Sequence, residues 1–219
     1  MHALRLAHRG DWRRAPENTL PALLAALEIP ACDGLEFDVR TSANGVPVLV
    51  HDETLARVHG RPERVDGLSA AELAAVGIPT LAEVLDVIEP RAFLDVEFKA
   101  PPTTAAFDVL RARRGEDPLR TVVSSFYPEI IAKLALARVP WPIWLNSHTL
   151  SPGVIDAARE LNCRGVSASW RVIDSRTAAA VLGAGLTLVA WTVRRRDTFR
   201  RLERLGVSAM CVEAGALDG

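Results

Sequence analysis

The sequence predicts an α/β protein, a TIM-like (β/α)8 barrel formed as a single domain over residues 1–219. Three observations predict it. Short β-rich runs alternate with helical patterns from end to end. Eight such alternations fit a chain of 219 residues, close to the lower limit of about 200 for this architecture. The strands also carry polar residues at alternate positions near their C-terminal ends. A doubly wound open sheet, the competing arrangement, would show fully apolar central strands and a Gly-rich first turn.

In chain order, strands are expected at 4–8, 34–39, 92–98, 121–126, 142–146, 164–169, 186–192 and 208–213. Helices are expected near 17–28, 81–89, 103–114, 128–138, 152–161, 175–184 and 197–205. Start signals mark several of them. Ser69-Ala70-Ala71-Glu72 and Thr80-Leu81-Ala82-Glu83 fit capping boxes, and Ser151-Pro152 supplies an N-cap followed by a first-turn proline. After the last strand the chain leaves no room for a full eighth helix.

One run departs from parallel alternation. In FDVRTSANGVPVLVHD, Asn44-Gly45 is a strong hairpin signal between two strand-like segments. Residues 46–51 are therefore read as an extra antiparallel strand folding back over the barrel mouth, an extension after the second strand. With Asn44 and Gly45 as the turn, that register sets His51 directly opposite Asp38. Residues 52–79, with one short helix, form a small insertion of the kind that serves as a lid or specificity element.

Apolar residues make up 49% and charged residues 24% of the chain, the balance of a globular protein. A formal net charge of −1 gives no bulk attraction to nucleic acid or anionic membranes. The N-terminal residues show neither secretory signal nor anchor, and no apolar run reaches spanning length. A cytoplasmic protein without a stable membrane anchor is expected, its oligomeric state left open. Cys32, Cys163 and Cys211 lack C-x-x-C spacing and are read as reduced, buried small hydrophobes.

Strand alternation separates two faces. In GLEFDVR, Leu35, Phe37 and Val39 share one face while Glu36 and Asp38 share the other. In LDVEFK, Val96 and Phe98 oppose Asp95, Glu97 and Lys99. If the apolar sets pack on the helices, several carboxylates point into the barrel, where they repel one another unless a cation or several donors neutralise them. An all-oxygen cluster selects a hard divalent cation such as Mg²⁺ or Ca²⁺. A buried salt-bridge set of Glu36, Asp38 and Glu97 with Arg40, Lys99 and other cations is the other reading. It does not account for His8 and His51 at strand ends. Two imidazoles beside a metal–carboxylate cluster form an acid–base pair, and Arg9 adds a cation with fork geometry suited to phosphate. The combination points to phosphoryl-ester chemistry.

HRG at 8–10, PENT at 16–19, EFD at 36–38, VLVHD at 48–52, PTLAEVL at 79–85 and EFK at 97–99 occur in this order. This ordered set resembles the glycerophosphodiester phosphodiesterase family, with SSF at 124–126 and WTV at 191–193 extending the likeness more weakly along the chain. The resemblance implies a TIM-like barrel with a small insertion after the HD motif. It implies metal-dependent hydrolysis of glycerophosphodiesters, small-molecule substrates, to sn-glycerol 3-phosphate and an alcohol, with one divalent cation, Mg²⁺ or Ca²⁺ (Mn²⁺ is also compatible). Glu36, Asp38 and Glu97 would hold the metal, and His8 and His51 would act as general acid and base. Arg9 and Lys99 would bind the phosphate, with Glu17 and Asn18 supporting the loop or the substrate. The glycerol 2-hydroxyl would attack phosphorus, and water would then open the cyclic phosphate.

Two departures stand out. Arg194 follows WTV where the family usually has Asn, and GVSAMCVEAG replaces a typical G-V-D-G-I-x-T-D pattern, leaving Glu213 as the acid in that region. Trp191 is expected either to pack over the glycerol or head group or to belong to the core. Arg194, Arg195 and Arg196 are either solvated charge or a contact for a charged head group. A lysophospholipase D-type phosphodiesterase, marked by an apolar groove beside the site, and a degenerate non-catalytic metabolite-binding barrel are the alternatives.

Overall fold

The computed structural model describes residues 2–116 and 119–219. The strands are β1 (Leu4–His8), β2 (Gly34–Thr41), β3 (Pro47–Leu49), β4 (Phe93–Phe98), β5 (Thr121–Ser125), β6 (Ile143–Ser147), β7 (Gly165–Ser169), β8 (Thr187–Val193) and β9 (Ala209–Val212). All but β3 pair in parallel. They run β1-β2-β4-β5-β6-β7-β8-β9, and β9 returns to β1 to close the barrel. The helices are α1 (Leu20–Leu27), α2 (Ala56–His59), α3 (Ala70–Ala74), α4 (Leu81–Val87), α5 (Thr104–Arg114), α6 (Pro128–Leu136), α7 (Pro152–Glu160), α8 (Ser175–Gly183) and α9 (Arg196–Arg204). The unit begun by β9 ends in a 3₁₀ turn, Ala214–Ala216, in place of an eighth outer helix.

Local chemistry sets the helix starts. Both capping boxes form, Ser69 with Glu72 and Thr80 with Glu83. Ser151 occupies the cap position of α7 without a side-chain bond to the helix. Helix α1 starts at Leu20 rather than 17 because Asn18 is left-handed (φ +57°) and Thr19 is extended, its hydroxyl accepting from the Ala22 N–H.

The barrel wall sorts side chains as strand alternation requires. Leu35, Phe37 and Val39 face outward into the main core with Leu23, Leu81, Val84 and Leu110 from the helices. Inside, Leu6, Val122, Trp144, Val189 and Ala209 form an apolar floor. Room for it depends on glycine. A Cβ on Gly34 would lie 2.0 Å from the Phe93 carbonyl oxygen, and one on Gly165 would lie 2.9 Å from Trp144 Cδ1. Phe93 and Trp144 stack there with centroids 6.0 Å apart. Toward the C-terminal strand ends the inward positions turn polar, and register places His8 beside Glu36, Glu36 beside Asp95, and Asp38 beside Glu97.

The β2–β3 pairing differs from the expected register by one residue. Val39 pairs with Leu49, and the Val50 N–H donates to the Asp38 carbonyl at 3.1 Å. Val50, not His51, therefore stands across from Asp38. The turn uses three residues instead of two. The Ser42 N–H donates to Val46 O at 2.9 Å and the Gly45 N–H to Ser42 O at 3.0 Å. Gly45 takes the left-handed position, φ +80°, as in a type I turn closed by a glycine bulge. β3 ends at Leu49, so the loop after the strand, rather than the ladder, positions His51.

Residues 52–79 are more ordered than one short helix. They hold α2, a 3₁₀ turn at Val65–Gly67 and α3. Val48, Val50, Leu55, Val65, Leu73 and Ile78 form a second apolar cluster beneath them. The segment that carries His51 thus has a core of its own. No helix among the described residues is long and apolar enough to cross a membrane. Truncating the fully buried Leu73 to alanine should cost about 2–5 kcal/mol in denaturant titration. A loss below about 0.5 kcal/mol, within the range of surface substitutions, would show that this cluster does not support the fold.

Candidate active site

The polar inward residues meet at the C-terminal end of the barrel, the face on which (β/α)8 enzymes place their sites. A cavity of about 500 Å³ opens there, lined by His8, Arg9, Glu36, His51, Glu97 and Lys99, with Asp95, Asn146, Trp191 and several ring side chains completing the wall. A wider hollow of about 750 Å³ lies at the other end of the strands, around Leu24, Cys32, Asp33, Arg91 and Arg120. It contains none of the candidate catalytic, phosphate-binding or metal-binding residues, which gather at the smaller cavity.

The first βα turn is shaped by HRG. Gly10 has φ +87°, and a Cβ on it would come within 2.5 Å of the Ala22 backbone, so only glycine lets the turn lie against α1. Arg9 is left-handed at φ +59°, a costly conformation for a side chain of this kind. Its compensation is local. The Arg9 N–H donates to Glu36 O at 2.8 Å, and Asn18 N–H to Arg9 O at 3.0 Å. Arg9 Nε lies 2.9 Å from Asp38 Oδ2, and Nη1 lies 2.9 Å from Glu17 Oε1.

Asp38 is fully buried and gathers donors. Asn18 Nδ2 donates to Oδ2 at 2.9 Å while Asn18 Oδ1 accepts the Asp38 N–H at 3.2 Å. Lys99 Nζ lies 3.3 Å from Oδ1 and also pairs with Glu97. Burial works against the Asp38 charge, yet Arg9, Lys99, His51 and Asn18 hold its pKa well below the usual carboxylate range. Both ends of the Asn18 amide are spent on Asp38, and Glu17 bonds Arg9 and Arg57. Neither residue lines the cavity.

Glu36 is in the opposite condition. It is buried, and neither carboxylate oxygen has a hydrogen-bond partner. Burial, then Asp38 and Glu97, push its pKa well above normal. Glu36, Asp38 and Glu97 each offer an oxygen within 4.8 Å of the others. Three converging carboxylates, one of them lacking any donor, fit a hard divalent cation and no soft one. The salt-bridge reading holds for Lys99 and, among the other cations, for Arg9 on Asp38, but not for Arg40, whose Nε donates to the His51 carbonyl at 2.8 Å.

Both imidazoles reach the cavity, each braced by a carboxylate. His51 Nδ1 lies 2.6 Å from Asp52 Oδ1, and Asp52 in turn accepts from Arg57 Nε at 2.6 Å. Burial pushes the His51 pKa down, with Arg9 and Lys99 adding to the effect against Asp38 and Asp52. His8 Nδ1 lies 2.6 Å from Glu213 Oε1, which points Nε2 toward Glu36 Oε2 at 3.8 Å. Glu213 Oε2 accepts from Arg194 Nε at 2.7 Å. The two departures near the C-terminus are therefore one interacting pair, and its carboxylate holds His8.

Sequence reasoning gave no role to Asp52, Asp95, Phe126 or His148, and did not connect Glu213 with His8. Asp95 shares the inward face of Glu97, a signal present in the strand pattern. Ser124 Oγ donates to it at 2.6 Å, but burial pushes its pKa up to about 7. Trp191 donates from Nε1 to Ser167 O at 3.1 Å. Its ring centroid lies 5.2 Å from that of Phe126 and 5.1 Å from that of His148, so it is both packed and exposed to the cavity.

Proton linkage gives a test of the cation site. Burial, then Asp38, raises Glu97 from an ordinary 4.5 to about 7. The folded state therefore keeps a proton that the unfolded chain has lost, and stability is full below about pH 4.5 and falls as pH rises through about 7. Melting temperature without divalent cations should decline across that window. Added Mg²⁺ or Ca²⁺, which binds the ionised carboxylates, should abolish or reverse the decline. A cation that leaves the profile unmoved would remove the metal site.

The sequence model of the Glycerophosphoryl diester phosphodiesterase family matches residues 8–214. The chain is 36% identical over 114 residues to a glycerophosphodiester phosphodiesterase of Caldanaerobacter subterraneus subsp. tengcongensis, covering 46% of each chain. It is 31% identical over 171 residues to glycerophosphodiester phosphodiesterase 1 of Homo sapiens, covering 66% of this chain and 50% of that one. The chain thus spans about half the length of these curated relatives. The fold superposes on an Oleispira antarctica phosphodiesterase solved in complex with the product sn-glycerol-3-phosphate, with a TM-score of 0.85 and 25% identity, covering 96% of this chain and 93% of that one. An ordered set of motifs, a barrel that brings them to one cavity, and a match running almost the full length of the chain place this protein in the glycerophosphoryl diester phosphodiesterase family.

Proposed function

We propose that this protein hydrolyses glycerophosphodiesters to sn-glycerol 3-phosphate and an alcohol, using a divalent cation, Mg²⁺ or Ca²⁺, on Glu36, Asp38 and Glu97. The observation that carries the reading is the cluster of those three carboxylates beside a cavity that two braced imidazoles and the cations of Arg9 and Lys99 line. Family membership supports it, as does the product held by the Oleispira relative. The bound cation would supply positive charge to a phosphoryl oxygen and orient the ester.

The remaining work falls to the chain. Arg9 and Lys99 line the cavity beside the carboxylates and face the phosphate oxygens. Glu17 and Asn18 act behind them, holding Arg9 and Asp38 in place. His51, uncharged near neutrality through burial and donating from Nδ1 to Asp52, takes the proton of the glycerol 2-hydroxyl at Nε2 as that oxygen bonds to phosphorus. His8 delivers a proton from Nε2 to the departing alcohol oxygen. In the second half the roles reverse: water adds to phosphorus, the ring P–O bond breaks, and the 2-hydroxyl is restored. Trp191 packs against the organic part of the diester. The complete set of acids and imidazoles argues against a degenerate binding barrel. The groove next to the cavity is lined by three arginines, two tryptophans and two threonines, a mixed surface and not the wholly apolar one that would favour a lysophospholipase D. A cytoplasmic location fits the three free cysteines.

The test is release of glycerol 3-phosphate from glycerophosphocholine, glycerophosphoethanolamine and glycerophosphoglycerol with Mg²⁺, Ca²⁺, Mn²⁺ or chelator. Turnover with a metal and none with chelator is expected; no turnover of any diester with any metal would sink the reading. His8→Ala and His51→Ala should abolish turnover while keeping metal affinity, whereas Glu36→Gln should weaken metal binding. Glu213→Gln should lower kcat on the order of 100-fold with little change in KM, and Glu213→Asp should recover part of the loss. Full activity in Glu213→Gln would show that His8 does not depend on it.

A further inference from the structure

We propose that the groove beside the catalytic cavity is a subsite for an anionic leaving group, so that the preferred diesters carry a further phosphate or carboxylate on the alcohol. This rests on the phosphodiesterase reading above. The groove has a volume of about 320 Å³ and is lined by Trp170, Arg171, Trp191, Thr192, Arg194 and Arg195, with Thr198 at its edge. Trp191 and Thr192 also line the catalytic cavity, so the two hollows share a wall. An alcohol leaving from phosphorus on the cavity side of Trp191 extends into the groove on the other.

Three guanidiniums and no carboxylate line this groove, and two of the three pair with carboxylates outside the lining. Arg171 lies 4.8 Å over the Trp170 ring, and among the described residues it has no carboxylate partner. Arg194 gives Nε to Glu213, and Arg195 gives Nε and Nη2 to Asp197 at 3.1 and 2.8 Å, which leaves Nη groups of both free for a ligand. Helix stability does not explain these residues, because Arg195 and Arg196 open α9, where the helix dipole disfavours cations. Planar guanidiniums are suited to bind phosphate or carboxylate.

The ring side chains of the catalytic cavity, on the other side of Trp191, do not suit a cationic head group. Phe126, His148 and Trp191 pack on one another with centroids 5.1–5.2 Å apart. Lys99 Nζ already lies 5.1 Å over the Phe126 ring. A quaternary ammonium would meet an ammonium there instead of an open aromatic cage.

The experiment compares kcat/KM for four diesters sharing one glycerol 3-phosphate half, with the full chain and its best divalent cation. They are glycerophosphoinositol 4-phosphate, glycerophosphoserine, glycerophosphoglycerol and glycerophosphocholine. The phosphate-bearing or carboxylate-bearing diester should exceed glycerophosphoglycerol by about tenfold, with glycerophosphocholine last, and the first two arms tell which anion the groove takes. Arg171→Ala and Arg195→Ala should each bring that ratio down several-fold, Arg171→Lys should keep part of it, and added salt should shrink it. A wild-type preference for choline, or a ratio unmoved in both alanine variants, overturns the subsite and leaves the phosphodiesterase reading standing. Failure to turn over any diester overturns both.

Discussion

Asp38 carries its carboxylate in full burial at the C-terminal end of β2, between Arg9 Nε and Lys99 Nζ, with the Asn18 amide against it. Removing one partner from such a buried charge costs about 3–5 kcal/mol, so the donors are held as firmly as the acid. They come from the two ends of the connection between β1 and α1, and from the residue that follows β4. Satisfying one charge therefore locks both ends of that loop and a strand end into a single arrangement. The left-handed backbone at Arg9 and Asn18 follows from that requirement.

From Asp38 the charge network spreads outward in an alternating sequence. Arg9 pairs with Glu17, Glu17 with Arg57, Arg57 with Asp52, and Asp52 with His51. Each link is a guanidinium–carboxylate contact until the last. The insertion is thereby tied to the barrel rim by charge as well as by its own apolar cluster. On the far side of the cavity, Arg194, Glu213 and His8 form a second, shorter chain. Both imidazoles are thus gripped at Nδ1 by a carboxylate that an arginine already holds, which leaves Nε2 of each for the cavity. The arginine-rich composition has a structural reason here, since a guanidinium can bond two partners in fixed directions and an ammonium cannot.

Glu36 shows the cost of this arrangement. Two of the three clustered acids share Lys99, while Glu36 is buried without a donor. A fold that places an unpartnered carboxylate between two others keeps it protonated or supplies a cation. The three carboxylates, each with an oxygen within 4.8 Å of the others, could hold a metal ion in that role.

Much of the architecture was legible in the chain because it depends on short-range rules. Alternation in GLEFDVR and LDVEFK separated outward from inward residues, and the 69–72 and 80–83 spacings placed two helix starts. The hairpin existed where Asn44-Gly45 implied, but its register could not be read. Whether a glycine closes a two-residue or a three-residue turn depends on strand twist and on the packing of the insertion, and one residue decides whether His51 or Val50 faces Asp38. Arg194 and Glu213 looked like two unrelated irregularities because 19 residues separate them. By itself the sequence determined the strand order, the inward acids and the residue types of the site, since periodicity and capping act over a few residues. Only the tertiary structure decided which carboxylate braces which imidazole, and that an arginine groove adjoins the cavity. Those contacts join residues up to 205 apart in the chain, and barrel closure, which brings β9 against β1, is the step that makes them neighbours.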